Sequence, residues 1–156
     1  MAEYDHLPVY KATYDLLQHI YRDKSIGSVP RDIKFTLVET LKKDILDILV
    51  HIYKAHYMAD ERKGEVLGQA RELLPGIKAR FRILFDLHHI NPELFQTLAV
   101  EVESVSKQLA AWQAKTIKRL SDASSGAGRT NAPRAARELP GGPGPAGWRP
   151  DEEGEA

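Results

Sequence analysis

Cysteine is absent from the 156 residues. That excludes a disulfide framework, a thiol nucleophile and any thiolate metal site. Long hydrophobic runs are missing too: none approaches the ~18 residues of a membrane span. The N-terminus, MAEYDHLPVYK, lacks the basic-then-apolar pattern of a signal sequence. A soluble cytoplasmic protein with no membrane partner is the expectation. Nor is there an excess of charge. Lys and Arg together number 22, as do Asp and Glu; residues 1–120 carry a net +2 and residues 121–156 a net −2. This is not the basic bias of an autonomous DNA binder. No sustained alternation and no hairpin dipeptide between apolar segments signals a strand.

Helical periodicity is what the chain has. The first helix is predicted from near Pro8 to before Gly27, with Val9, Thr13, Leu16, Leu17 and Ile20 on one face and Tyr10, Tyr14 and Tyr21 beside it. Pro8 suits a first turn, where its missing N–H costs nothing. The second helix is predicted from about Arg31 to Tyr57, roughly 40 Å at 1.5 Å per residue. Val38, Leu41, Ile45, Ile48, Ile52 and Ala55 form its core series. Phe35, Leu46, Val50, Tyr53 and Tyr57 widen the apolar arc to more than half the circumference. A helix in a lone bundle needs a stripe of only about 100° or slightly more, so the surplus predicts a central position or a subunit interface.

The stretch LLPGIKARFRILFDLHHINPELFQTL, residues 73–98, organises the second half. A third helix, about Lys63 to Leu87, has the core series Leu67, Ala70, Leu74, Ile77, Phe81 and Leu84. The register passes through Pro75 and Gly76 without a slip, which predicts a kink rather than a break. Arg71, Lys78 and Arg82 lie within about 40° of one another beside that stripe. Ile83 points away from it.

Asn91 and Pro92 then read as the cap and first residue of a fourth helix. Its seam is Phe95, Leu98, Val102, Val105, Leu109 and Trp112, with Val100 facing outward. Lys115, Lys118 and Arg119 crowd its last turns, where cations suit the helix dipole; they are also candidate nucleic-acid contacts. After Leu120 the composition changes. Residues 121–156 hold seven Gly, five Pro and seven Ala with almost no aliphatics, too little apolar surface to offset ordering entropy. The expected architecture is all-α: an antiparallel up-down-up-down four-helix bundle over 1–120, then a disordered tail over 121–156.

The sequence offers little chemistry. No Glu-x-x-His motif supports a di-metal bundle. His51 and His56 are five apart and cannot share a metal, and Asp47 with His51 suits a solvated contact. No phosphate-cradling loop or nucleophile elbow is present. No cofactor, metal site or catalytic residue is expected. One alternative needs stating. Arg82 and His88 have the R-x4-6-H spacing that resembles the ribonuclease motif of HEPN helical bundles, in which an Arg holds the phosphate and a His handles the proton. Ile83 stands where that motif usually has a polar residue, and His88 falls nearly in line with the core stripe, as a satisfied histidine at the bundle end.

Residues 4–119 resemble, as a whole, the Avd family, the accessory variability proteins of diversity-generating retroelements. The resemblance lies in the Tyr-rich first helix, Pro30-Arg31, Phe35-x-Leu37, Asp44-Ile45-x-x-Ile48-Leu49, the block LLPGIKARFRILFDL, and QLAAWQ with its late Trp112. Ala110-Ala111 replace small glycines that often precede that Trp, and the tail has no counterpart. The resemblance implies a non-catalytic homopentamer that binds a reverse transcriptase and its template-repeat RNA or cDNA, with Lys78 and Arg82 matching a basic pair in the third helix. Related bundle proteins from intervening sequences of bacterial 23S rRNA genes are the alternative. Taken together, the residues and the resemblance give Arg71, Lys78, Arg82, Lys115, Lys118 and Arg119 as candidate nucleic-acid contacts. Leu46, Val50, Tyr53, Tyr57, Ile83 and Val100 are the candidate oligomer interface.

Overall fold

The computed structural model describes the backbone of residues 7–138 and the side chains of residues 7–125. Among the described residues there is no strand, and five helices exceed ten residues. The chain divides into two units, Met1–Ile117 and Lys118–Ala156.

In the first unit, α1 (Pro8–Arg22) places Pro8 in its first turn and buries Val9, Thr13, Leu16 and Ile20. Thr13 loses nothing by burial, because its hydroxyl donates to the Val9 carbonyl at 2.8 Å. The predicted first helix breaks at Asp23. That residue is extended (ψ 128°), and its carboxylate accepts from the Ile26 N–H at 3.1 Å, capping the short α2 (Lys24–Gly27). Ile26 and Val29 in this connection are buried, and periodicity alone did not mark them.

A short α3 (Arg31–Ile33) leads through a π-helical turn, Lys34–Val38, into α4 (Glu39–Tyr57). The π turn is closed by the Glu39 N–H on the Lys34 carbonyl. Helix α4 is central, packing against α1, α5 and α6. All six residues of its expected series, Val38 to Ala55, are buried, and so is Leu49.

The predicted third helix becomes two, α5 (Asp60–Glu72) and α6 (Leu74–Asp86), meeting at Leu73. Pro75 has no N–H to give the preceding turn. The core register survives the join, since Leu67, Ala70, Leu74, Ile77, Phe81 and Leu84 are all buried. This split turns four expected helices into five long ones.

Helix α6 ends with His88 at φ 66°, the left-handed region. The His88 N–H donates to the Phe85 carbonyl at 3.0 Å and the His89 N–H to the Leu84 carbonyl at 2.9 Å. This is a Schellman ending with histidine where glycine is usual.

Helix α7 (Pro92–Glu138) starts as expected, with the Asn91 carboxamide accepting the Leu94 N–H at 2.7 Å. Its seam of Leu98, Val102, Val105 and Leu109 is fully buried, with Phe95 and Trp112 half-buried beside it. Going along α7, Phe95 meets Phe85, Glu103 meets Lys78, Gln113 meets Arg71, and Ile117 lies against Gly64. Partner numbers fall as those of α7 rise.

The second unit carries the rest of α7. Its backbone stays helical through Glu138, where composition predicts a disordered tail from Ser121. Ala123, Ala127, Ala132, Ala135 and Ala136 supply helix propensity, which a reading based on missing apolar surface leaves out. The remainder of the expected tail, 139–156 with Trp148, lies outside the described residues.

Candidate nucleic-acid interface and apolar face

Arg71 sits in the last turn of α5, and its Nη1 donates to the Gln113 carboxamide oxygen on α7 at 2.6 Å. The same carboxamide donates to the Gly64 carbonyl at 2.9 Å. Lys78, on α6, reaches Glu103 of α7 at 3.3 Å. Arg82 turns within its own helix, its Nε donating to both Asp86 carboxylate oxygens at 3.0 and 3.2 Å.

The single strip read from helical spacing is therefore divided. Arg71 and Lys78 lie along α7, ten residues apart by their partners, or about 15 Å of helix. Among the described residues Arg82 takes no partner on α7. Lys115 is exposed and lines a groove of about 300 Å³ with Leu7, Pro8 and Trp112. Lys118 and Arg119 are exposed and belong to the second unit, where Lys118 pairs with Asp122 at 3.3 Å.

Two polar groups that spacing did not mark organise this region. Gln113 carries no charge and so gives no electrostatic signal, yet it links α5 to α7 through two hydrogen bonds. Arg80 pairs with Asp44 of α4 at 3.1 Å on the half-buried side of α6.

The apolar candidates are all exposed. Leu46, Val50, Tyr53 and Tyr57 leave 41 to 58% of their surface open on α4. With Tyr10, Tyr14 and Leu17 of α1, the first three line a groove of about 290 Å³. Tyr10 and Tyr14 stack at 6.1 Å, and Tyr53 meets Tyr57 edge-on at 5.2 Å. Tyr14 belongs to this face although the expected interface named no α1 residue. Its position beside the α1 stripe was the available signal. Ile83 on α6 and Val100 on α7 are exposed as expected. Phe35 is exposed as well, with the Arg31 guanidinium 5.6 Å from its ring centre.

Two readings of the histidines change. His88 is exposed on a left-handed turn rather than satisfied at the bundle end. His51 uses Nδ1 to donate to the Asp47 backbone carbonyl at 2.7 Å, not to its carboxylate. Among the described residues no cluster of three or more His, Asp or Glu could hold a metal ion. Nor is any helix there long and apolar enough to cross a membrane.

A scan against models of known protein families finds no match, and a search of curated proteins finds none either.

Proposed function

We propose that this chain is a non-catalytic accessory protein of a diversity-generating retroelement, binding a reverse transcriptase and its template-repeat RNA or cDNA in the cytoplasm. It works as a homo-oligomer, a pentamer by the family resemblance, built from antiparallel up-down bundles. The opposite order of paired residues on α7 and on α5–α6 supports that arrangement.

One observation carries the reading: the open apolar groove and the candidate phosphate-binding cations stand on different elements of the first unit. Leu46, Val50, Tyr53 and Tyr14 belong to α4 and α1, whereas Arg71, Lys78 and Arg82 belong to α5 and α6. An apolar face of this kind favours association. A cyclic assembly repeats each cation around a ring, so a small net charge on each chain still gives a substantial field.

The test is an RNA-binding titration against salt for wild type and Lys78→Ala/Arg82→Ala, with RNA integrity followed on a gel and reverse transcriptase capture measured in parallel. Salt-sensitive binding that the double change weakens, with intact RNA and captured enzyme, supports the proposal. RNA binding without capture would favour the intervening-sequence type of bundle. Cleavage abolished by His88→Ala would favour the helical ribonuclease with Arg82 and His88.

A further inference from the structure

We infer that Arg71, positioned by Gln113, is the primary phosphate anchor of this face, and that Glu103 and Asp86 act as internal competitors holding Lys78 and Arg82 in reserve. The inference rests on the nucleic-acid reading above and assigns unequal roles to cations which that reading treats alike.

The partners differ in charge. Lys78 and Arg82 face carboxylates at 3.3 and 3.0 Å. A carboxylate on a cation occupies the position a phosphate oxygen would take. Arg71 instead has a neutral carboxamide as its partner, so that contact leaves its charge uncancelled. Its helix neighbours at three and four residues are Leu67, Gly68, Leu74 and Pro75, and those of Gln113 are Leu109, Ala110, Thr116 and Ile117. None of them is acidic.

Position matters as well as charge. Gln113 is itself fixed by the Gly64 carbonyl, and Arg71 is fixed by Gln113. The guanidinium is thus oriented before any ligand arrives, and its rigid fork offers further donors beyond the one used. Lys78 and Arg82 must first release a carboxylate. These pairs are exposed and therefore weak, so phosphate can displace them at a modest loss of affinity.

The salt dependence follows. A phosphate meeting Arg71 gives up its condensed counterion. A phosphate meeting Lys78 does the same, but Glu103 is left bare and attracts a cation back. Lys78 and Arg82 therefore each add less to the salt slope than Arg71 does.

The experiment uses the full chain, a labelled RNA hairpin, and anisotropy titrations across salt concentration. Arg71→Ala is expected to weaken binding more than Lys78→Ala and to flatten the slope by about 0.7 to 0.9. Gln113→Glu, which puts a carboxylate on Arg71, should weaken binding about two- to fivefold, and Glu103→Gln should strengthen it by a similar factor. Asp15→Asn, the same charge change as Glu103→Gln but on α1 beside Lys11, should leave affinity unchanged. Opposite signs for Gln113→Glu and Glu103→Gln are not what a purely structural role would give, and Glu103 is exposed enough to be replaced without unfolding. If Arg71→Ala and Lys78→Ala weaken binding but Glu103→Gln matches Asp15→Asn, the competitor role is overturned. If instead Arg71→Ala costs no more than Lys78→Ala, the anchor assignment is overturned. If none of the cation variants changes binding, the nucleic-acid reading itself fails.

Discussion

The rings of Phe85 and Phe95 stack with centroids 4.6 Å apart and planes 12° from parallel. They join the end of α6 to the start of α7 across the turn that holds His88 and Asn91. Offset stacking of this kind adds about 0.5–1.5 kcal/mol beyond area burial. A double-mutant cycle of Phe85→Leu and Phe95→Leu, followed by urea unfolding, should show coupling of that size. Coupling near zero would mean that the rings do not depend on each other.

His88 sits at φ 66° in the turn between them. A non-glycine residue in the left-handed region costs roughly 1–2 kcal/mol. Glycine removes that strain but adds freedom to the unfolded chain, so His88→Gly should stabilise the protein by up to about 1 kcal/mol. His88→Val, branched at Cβ, should destabilise it. Thermal midpoints of the two variants moving in the same direction would contradict this account of the turn.

Gly64 and Gly68 face α7 from successive turns of α5 but meet different neighbours. A Cβ on Gly64 would lie 3.8 Å from the Ile117 side chain, an ordinary contact, whereas one on Gly68 would come within 3.0 Å of the Gln113 amide nitrogen. Gly64→Ala should gain helix propensity, roughly 0.8–1 kcal/mol. Gly68→Ala should gain less, because the Gln113 amide has to shift. Equal gains in chemical denaturation would show that the amide yields at no cost.

Val50 is 41% exposed between Leu46 and Tyr53 on α4. In the proposed oligomer this surface is desolvated, and an unpaired charge there is costly. Val50→Asp should therefore dissociate the assembly while leaving helical content unchanged, as measured by light scattering with size exclusion and by circular dichroism. A wild-type protein that runs as a monomer at micromolar concentration would remove the basis of the prediction.

Truncation after Leu120 should leave the thermal midpoint of the Met1–Ile117 unit nearly unchanged. That unit's buried apolar core runs from Val9 to Leu109, and none of it is lost. A fall of more than a few degrees would show that the removed residues contribute to its stability.

The core was legible because burial and period coincide. Every residue of the expected α4 series and of the α5–α6 series is buried. The Asn91 cap and Pro92 start were also plain, since both depend on local chemistry. Three things escaped. The Asp23 break depends on a side chain turning back to its own backbone, which periodicity does not register. The π turn shifts the register locally, so Phe35 cannot be placed by continuing the wheel from α4. The division of the cations depends largely on tertiary partners: a wheel shows Asp86 four residues from Arg82, but not that Gln113 takes Arg71 and Glu103 takes Lys78.

The π turn at Lys34–Val38 has one more consequence. Closed between the Lys34 carbonyl and the Glu39 N–H, it holds one residue more than an α turn. In counting terms the chain carries a spare link there. Deleting Thr36 would leave an ordinary helix running into Val38, with the buried series from Val38 to Ala55 undisturbed. Because the wider turn absorbs that residue locally, the segment before it, with buried Ile26 and Val29, would keep close to its present facing. The length of the connection ahead of α4 is thus adjustable by one residue without repacking the core.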